Sequence, residues 1–544
     1  MLRPRLNLLL IVSATVAALV GLPVASVLSN VLAGDTGATW SHLAATVLPD
    51  YIGNTLALCL LVGLGVMLVG VATAWLTAMH DFPGRRIFEW ALVLPLAMPA
   101  YVLAYVYTDF LQFVGPLQTF LRESFGWSKA DYWFPEVRSL GGAVTMFVFV
   151  LYPYVYLLTR TAFIERASGM LEASRTLGLG PWRSFFRVSL PLARPAVAAG
   201  VTLALMETLA DYGTVSYFAV QTFTTGIYRA WFSLGDRIAA AQLAAALLGF
   251  VILLLAIEHA SRGRSRFHNT SGRRRPLAGQ PLPGWRGWVA TAVCTLPLSI
   301  GFLVPGYLLL RLALAERDGQ FTTHFVALAR NSFVLAGLTA IIAVTLAVLL
   351  AYGARLSTGW LAPSLNRLVG LGYAVPGSVI AVGVLIPVTR LDNWLAAQWQ
   401  VWFASNPGLL ITGGIAALIY AYLVRFLAVA LQSVGTSLAK ITPSMDDAAR
   451  SLGLGQVTTL WRVHLPILRG SLLTACLLVF VDVMKELPAT LVMRPFDFDT
   501  LATQAYTLAS DERLAEAANA SLAIVAVGLL PLIALSRQIS RTRR

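Results

Sequence analysis

Two stretches of this chain read almost alike: EASRTLGLGPWRSFFRVSLP at 172–191 and DAARSLGLGQVTTLWRVHLP at 447–466. Across 170–194 the first copy matches the second at 12 of 25 positions, with a constant offset of 275 and no gap. Ordinary residue frequencies give about one or two such matches, so half the chain reads as a duplicate of the other half. Met170, Ala173 and Leu177 fall on one helix face at i, i+3, i+7 spacing, as do Met445, Ala448 and Leu452. Gly178 and Gly453 then end that helix, because glycine takes the left-handed cap conformation without a Cβ penalty. Pro181 suits the first turn of a second short helix, and Pro191 and Pro466 close the two segments. The expected product is a helical knob with a small apolar face and an arginine rim. Such a shape fits a groove on another protein.

The rest of the chain belongs in a bilayer. At 57% hydrophobic and 12% charged residues, with a mean hydropathy of +0.73, it has too little polar surface for a soluble globule of 544 residues. Long apolar runs lie near 6–31, 54–79, 90–114, 140–164, 195–217 and 239–257, and again near 288–314, 331–352, 368–388, 408–431, 471–493 and 518–535. Each is close to the roughly 20 residues a helix needs to cross the hydrocarbon core. The expected fold is therefore all-α and integral to the membrane, with twelve transmembrane helices in two six-helix repeats. An even count per half makes the repeats parallel, related by an axis along the membrane normal. The expected division is a first half 1–262, a linker 263–287 and a second half 288–544, with Asn54 matching Asn331, Pro99 matching Pro376 and Thr225 matching Thr500.

The net charge of +14 is distributed by topology and forms no nucleic-acid face. With the N-terminus inside, Arg3, Arg5, Arg85, Arg86, Arg355, Arg367, Arg537, Arg541, Arg543 and Arg544 fall on one side, together with both repeated segments. The Gly/Pro-rich linker falls there too, with seven arginines and no acid between 260 and 287. The opposite loops are mixed or acidic, as at Asp497, Asp499, Asp511, Glu512 and Glu516. This positive-inside bias predicts cytoplasmic termini. The linker reads as a topological anchor and tether, with a binding site for acidic membrane lipid as the alternative. The N-terminal apolar run is longer than a signal-peptide core, so a retained first helix is expected. Cys59, Cys294 and Cys476 lie inside expected spans and offer no disulfide or metal spacing.

Four acids stand where charge is costly. Glu207 and Asp211 in LALMETLADYG align with Asp482 and Glu486 in LVFVDVMKELP at the same offset of 275. Each pair is spaced i, i+4, which would put both carboxylates on one helix face. From Pro195, Glu207 lies roughly 18 Å and Asp211 roughly 24 Å along the span. Helix breakers follow at matching places, Gly213 and Pro488. Charges inside spans mark pathways, and broken helices at matching sites in two repeats point to a transport site. Four converging carboxylates suit a hard cation that prefers oxygen ligands. The plainer alternative is structural: pairing with arginines, or capping of the helix break. Lys485 could neutralise Asp482 or Glu486, but Ala210 stands at its place in the first half.

The acid-Ala pattern followed by Gly and Val-x-Leu-Pro resembles the EAA loop of permease subunits in ABC importers, and here it occurs twice. The resemblance implies a type I ABC importer permease fold, with Glu172, Ala173, Gly178, Asp447, Ala448 and Gly453 at the interface with a cytoplasmic ABC ATPase dimer. Asp447 departs from the usual Glu, and Ser174 from the usual second Ala. The three lysines, Lys129, Lys440 and Lys485, never follow a glycine, so no phosphate-cradling Walker A loop is present. ATP would be used by the partner, and this chain would bind no cofactor and be no enzyme. The stretches METLADYGTVSYFAVQTFTTGIYRAWFSLGD and VDVMKELPATLVMRPFDFDTLATQAYTLASDERLAEA resemble the bacterial ferric iron permeases. That resemblance implies a periplasmic ferric-binding protein as a further partner and makes Glu207, Asp211, Asp482 and Glu486 candidate transient ferric ligands. Permeases for thiamine, phosphonates or sugar phosphates share the architecture. A proton-coupled secondary transporter can also have six plus six helices, but it has no use for paired glycine-hinged docking loops.

Overall fold

The computed structural model describes residues 8–31, 37–176, 180–262, 280–315, 322–357 and 359–541. Among them eleven helices are long and apolar enough to cross a bilayer, and a broken pair, Arg85–Ala97 with Ala100–Phe125, bent by 90°, brings the count to twelve when taken as one span. We number the spans of the first half α1 (Leu8–Val31), α2 (Leu48–Met79), α3 (Ala100–Leu111, within the broken pair), α4 (Leu140–Thr176), α5 (Leu190–Ala210) and α6 (Arg237–Arg262). Those of the second are α7 (Trp285–Ala315), α8 (Thr323–Leu356), α9 (Gly377–Phe403), α10 (Ala416–Leu438), α11 (Leu465–Met484) and α12 (Leu514–Arg541).

Each half is built on three helices: α2, α4 and α5 in the first, α8, α10 and α11 in the second. Lipid tails are as apolar as leucine, so helices in a bilayer associate through close packing at small residues. In the first half that role falls to glycines. A Cβ on Gly65 would lie 2.4 Å from Cγ2 of Val148, and one on Gly200 would lie 2.6 Å from Cα of Val155. In the second half Ala336, Ala340, Ala343 and Ala347 make the buried seam of α8.

The first helix of each half crosses to the other. α1 packs on α9 and on the helix Leu361–Gly370, and Tyr420 donates to the carbonyl of Leu19 at 2.6 Å. α7 packs on α3, α4 and α12, and Tyr107 donates to the carbonyl of Ile300 at 2.7 Å. A short parallel ladder, His80–Asp81 with Gln280–Pro281, fastens the end of the linker to the first half. Residues 263–279 of the linker lie outside the described residues. The boundaries 1–262, 263–287 and 288–544 thus remain a proposed division of the sequence, while in space the halves interlock.

Both fifth spans break at the expected place. α5 stops at Ala210 and a short helix Gly213–Tyr217 follows; α11 stops at Met484 and Pro488–Met493 follows. Beyond them Thr222 with Thr225, and Thr500 with Thr503, form matching capping boxes. Thr500 therefore corresponds in role to Thr222, and Thr225 to Thr503, because the second half holds three extra residues in this loop. Asn54 and Asn331 do equal work: each donates to a backbone carbonyl just before its box, that of Gln221 at 2.8 Å or Asp499 at 3.1 Å.

Candidate functional site

The four acids meet. Glu207, Asp211, Asp482 and Glu486 all line one cavity of about 110 Å³ between the halves. Leu96, Tyr154, Tyr373, Asp482 and Lys485 line both it and a neighbouring vestibule of about 1,260 Å³. The vestibule runs toward Arg355, Arg367 and Leu438, on the face that carries the repeated segments. On the other side the halves are in contact. Tyr228 donates to the carbonyl of Pro488, Tyr506 donates to Ser216 at 3.0 Å, and Arg138 lies 3.5 Å from Glu512. The passage is open at one end and shut at the other.

The expected shared helix face does not form, because the helices end first. Asp211 follows the last residue of α5 with extended backbone (φ −71°, ψ 136°), and Glu486 lies beyond Lys485, which ends α11. Freed from the helix, both turn to cap what comes next. Asp211 accepts from the backbone of Thr214 at 2.8 Å and from its hydroxyl at 3.1 Å. Glu486 accepts from the backbone of Ala489 at 2.9 Å and of Thr490 at 3.1 Å, and from the Thr490 hydroxyl at 2.7 Å. A carboxylate at a helix N-terminus satisfies amides that have no partner within the helix.

Glu207 and Asp482 are still helical and are paired with cations. Lys485 lies 2.9 Å from Asp482, one turn along the same helix. Glu207 has no such neighbour in its own half, as Ala210 foretold, but the other half supplies one. Arg425 on α10 lies 3.4 Å from its Oε2, and Tyr373 donates to its Oε1 at 2.7 Å. Charge balance is thus achieved across the pseudo-symmetry axis, which no comparison of the repeats could reveal. Among the described residues no group of three or more His, Cys, Asp or Glu could hold a metal ion. Two cations against four carboxylates leave the cavity lining net acidic.

Sequence reasoning missed Arg425, Tyr373 and Tyr154, and it missed Tyr101. Tyr101 is 5% exposed and lines the cavity, yet its hydroxyl has no hydrogen-bond partner. A lone arginine in an apolar run was the available signal for Arg425, since charge within a span marks function or a partner. The tyrosines gave none, being ordinary in apolar spans.

The second repeated segment forms the expected knob. Helix Pro443–Ser451 ends at a left-handed Gly453 (φ +78°), where Leu454 donates to the carbonyl of Ala449 at 3.0 Å. Asp447 and Ala448 are exposed, with Met445 at 45% and Leu452 at 79%. In the first segment Glu172 and Ala173 lie on the helical backbone of α4, their side chains outside the described set, and Gly178 lies outside the described residues. A new short helix begins at Pro181, as its ring predicts.

Residues 66–262 match the family described as "Binding-protein-dependent transport system inner membrane component". The chain is 27% identical to the Fe(3+)-transport system permease protein FbpB 2 of Haemophilus influenzae, over 90% of each chain. It is 23% identical to the ferric transport system permease protein FbpB of Actinobacillus pleuropneumoniae, over 84% of this chain and 66% of that one. It is also 30% identical to the molybdenum transport system permease protein ModB of Haemophilus influenzae, over 34% of this chain and 79% of that one.

Proposed function

The chain belongs to the family of binding-protein-dependent transport system inner membrane components, and on that premise we propose that it forms the path by which ferric iron crosses the bacterial inner membrane. It is a transport subunit and no enzyme, with the fold of a type I ABC importer permease. Relatives named for ferric transport span most of its length, which supports iron as cargo.

One observation carries the reading: a net-acidic cavity, shared by both halves, at the closed end of a vestibule that opens toward the repeated segments. A hard trivalent cation finds carboxylate and phenol oxygens there. Glu207 and Asp482 are the candidate transient ligands, while Asp211 and Glu486 shape the passage and add charge. In this reading the knobs bearing Glu172, Ala173 and Gly178, and Asp447, Ala448 and Gly453, dock a dimer of cytoplasmic ATPases. A periplasmic ferric-binding protein delivers cargo to the opposite face, and the termini and linker are cytoplasmic. The vestibule then faces the cytoplasm. Closure of the ATPases on ATP would draw the knobs together, close the vestibule and part the Tyr228–Pro488 seam.

A second reading, an oxyanion cargo, is favoured by Arg425 and Lys485 in the same cavity and by the buried Arg425 Nε, which has no hydrogen-bond partner. Uptake of radiolabelled ferric iron and of molybdate, with the chain as sole permease and each normalised to folded protein, decides between them. Iron uptake that falls in Glu207→Gln with Asp482→Asn supports the first. Molybdate uptake without iron uptake overturns it.

A further inference from the structure

The second repeated segment is held by a charged joint whose residues the sequence of the first half does not repeat. In the second half Asp446, in the first turn of helix Pro443–Ser451, is held from two sides. Arg355 near the end of α8 donates from Nε to its Oδ2 at 2.9 Å, with Nη2 2.7 Å away from the same oxygen. His464, at the base of α11, places Nε2 2.8 Å from Oδ1. The same guanidinium donates to the carbonyls of Leu438 and Ile441, both at 2.9 Å, where α10 ends. One carboxylate thus joins the knob to all three core helices of its half. The joint is shielded, with His464 fully buried and Arg355 16% exposed.

The first half has no copy of it. At the offset of 277 that relates α2 to α8, Arg355 falls on Ala78; at 275, Asp446 falls on Leu171 and His464 on Ser189. All three members are missing together. Ser189 is buried and its hydroxyl has no hydrogen-bond partner. The junction around it is aromatic, with the ring of Trp75 4.7 Å from Phe185 and 5.3 Å from Phe163. Among the described residues of this half a charged cluster, Glu89 with Arg85 at 3.4 Å and Arg160 at 3.3 Å, braces the helix Arg85–Ala91.

Charge-assisted hydrogen bonds fix one geometry, whereas apolar contact is non-directional and slides at little cost. We propose that Asp446, Arg355 and His464 form a positioning clamp that makes the second knob the rigid lever through which a docked ATPase moves the spans, a device the sequence of the first half does not repeat. Coupling by the two halves is then unequal. The inference rests on the reading of the knobs as ATPase docks and is independent of the cargo.

The test uses the permease assembled with its ATPase in proteoliposomes, with spin labels on cysteines replacing Arg138 and Glu512, which meet across the outer seam. Trapping with ATP and vanadate should separate the labels in the otherwise unaltered permease. Asp446→Asn should keep the ATPase bound and hydrolysing while the separated population falls several-fold. Asp446→Glu should restore it, Leu171→Asn should leave it unchanged, and His464→Gln should reproduce the defect independently should Asp446→Asn prove poorly folded. Full seam opening in Asp446→Asn or His464→Gln with the ATPase bound overturns the clamp, as does an equal loss in Leu171→Asn. An unaltered permease that never retains the ATPase overturns the docking reading itself and the clamp with it, and that result is separate from any finding on iron.

Discussion

Arg425 on α10 of one half lies 3.4 Å from Glu207 on α5 of the other, so a single ion pair spans the two repeats at the closed end of the vestibule. Its members differ in exposure, 9% for the arginine side chain and 23% for the glutamate, which places the more deeply buried charge on α10. Any movement that parts the halves must lengthen this contact and leave Arg425 seeking another partner.

Breaking a fully buried ion pair from one side costs about 3–5 kcal/mol, and the partial exposure of Glu207 should reduce that here. Arg425→Met is therefore expected to lower the melting temperature in detergent and to lower uptake. Adding Glu207→Gln should restore much of the stability, because no unpaired charge is left, without restoring uptake. Recovery of both would show that the pair is structural only.

Tyr101→Phe removes a hydroxyl that makes no protein hydrogen bond. Stability should change by no more than about 0.5 kcal/mol, since no bonded partner is orphaned. Uptake per folded molecule should nonetheless fall several-fold, because the hydroxyl is a free oxygen ligand on the cavity wall that Asp211 and Glu486 also line. Unchanged uptake would remove Tyr101 from the path.

The acids should divide by role. Asp211→Ala and Glu486→Ala remove helix caps and should each cost about 1 kcal/mol or more of stability, read as a lower melting temperature. Glu207→Gln and Asp482→Asn keep shape and should act mainly on uptake. If all four variants lose stability alike with uptake per molecule preserved, the carboxylates are a structural cluster.

Leu452 is 79% exposed on the second knob, so Leu452→Asp should leave the permease fold intact and abolish co-purification of the ATPase. Gly453→Ala should add strain of about 1–2 kcal/mol, because alanine must take the left-handed conformation found there (φ +78°). Both variants are read by ATPase retention on the tagged permease. Normal retention by Leu452→Asp would exclude this face from the dock.

Much of the architecture is legible without coordinates because it rests on local rules. A run of apolar residues must be helical in a bilayer, since no water is present to satisfy an open backbone, and twelve such runs are visible along the chain. Glycine and proline mark the ends of the knobs and the breaks after α5 and α11 by their own backbone preferences. The alignment of Glu207 with Asp482 and of Asp211 with Glu486 likewise follows from the duplication alone, and the cavity does contain all four. The i, i+4 face was misread because a helix was assumed to continue through Asp211 and Glu486, when each is a residue or two past a helix end.

Partnership across the axis lay beyond any reading of the repeats. The exchange of α1 and α7 between halves, the pairing of Glu207 with Arg425 and the clamp on Asp446 all join residues distant in sequence. Arg425 is 218 positions from Glu207 and Arg355 is 91 from Asp446. A duplication predicts that what one half does alone the other will do too, so it is blind wherever one half completes the other or where only one has acquired a contact. Hydrophobic length and backbone preference are properties of short segments and are written in the chain. Which buried charge meets which is settled only when helices from both halves close around one space, because burial makes an unpaired charge too costly to leave alone.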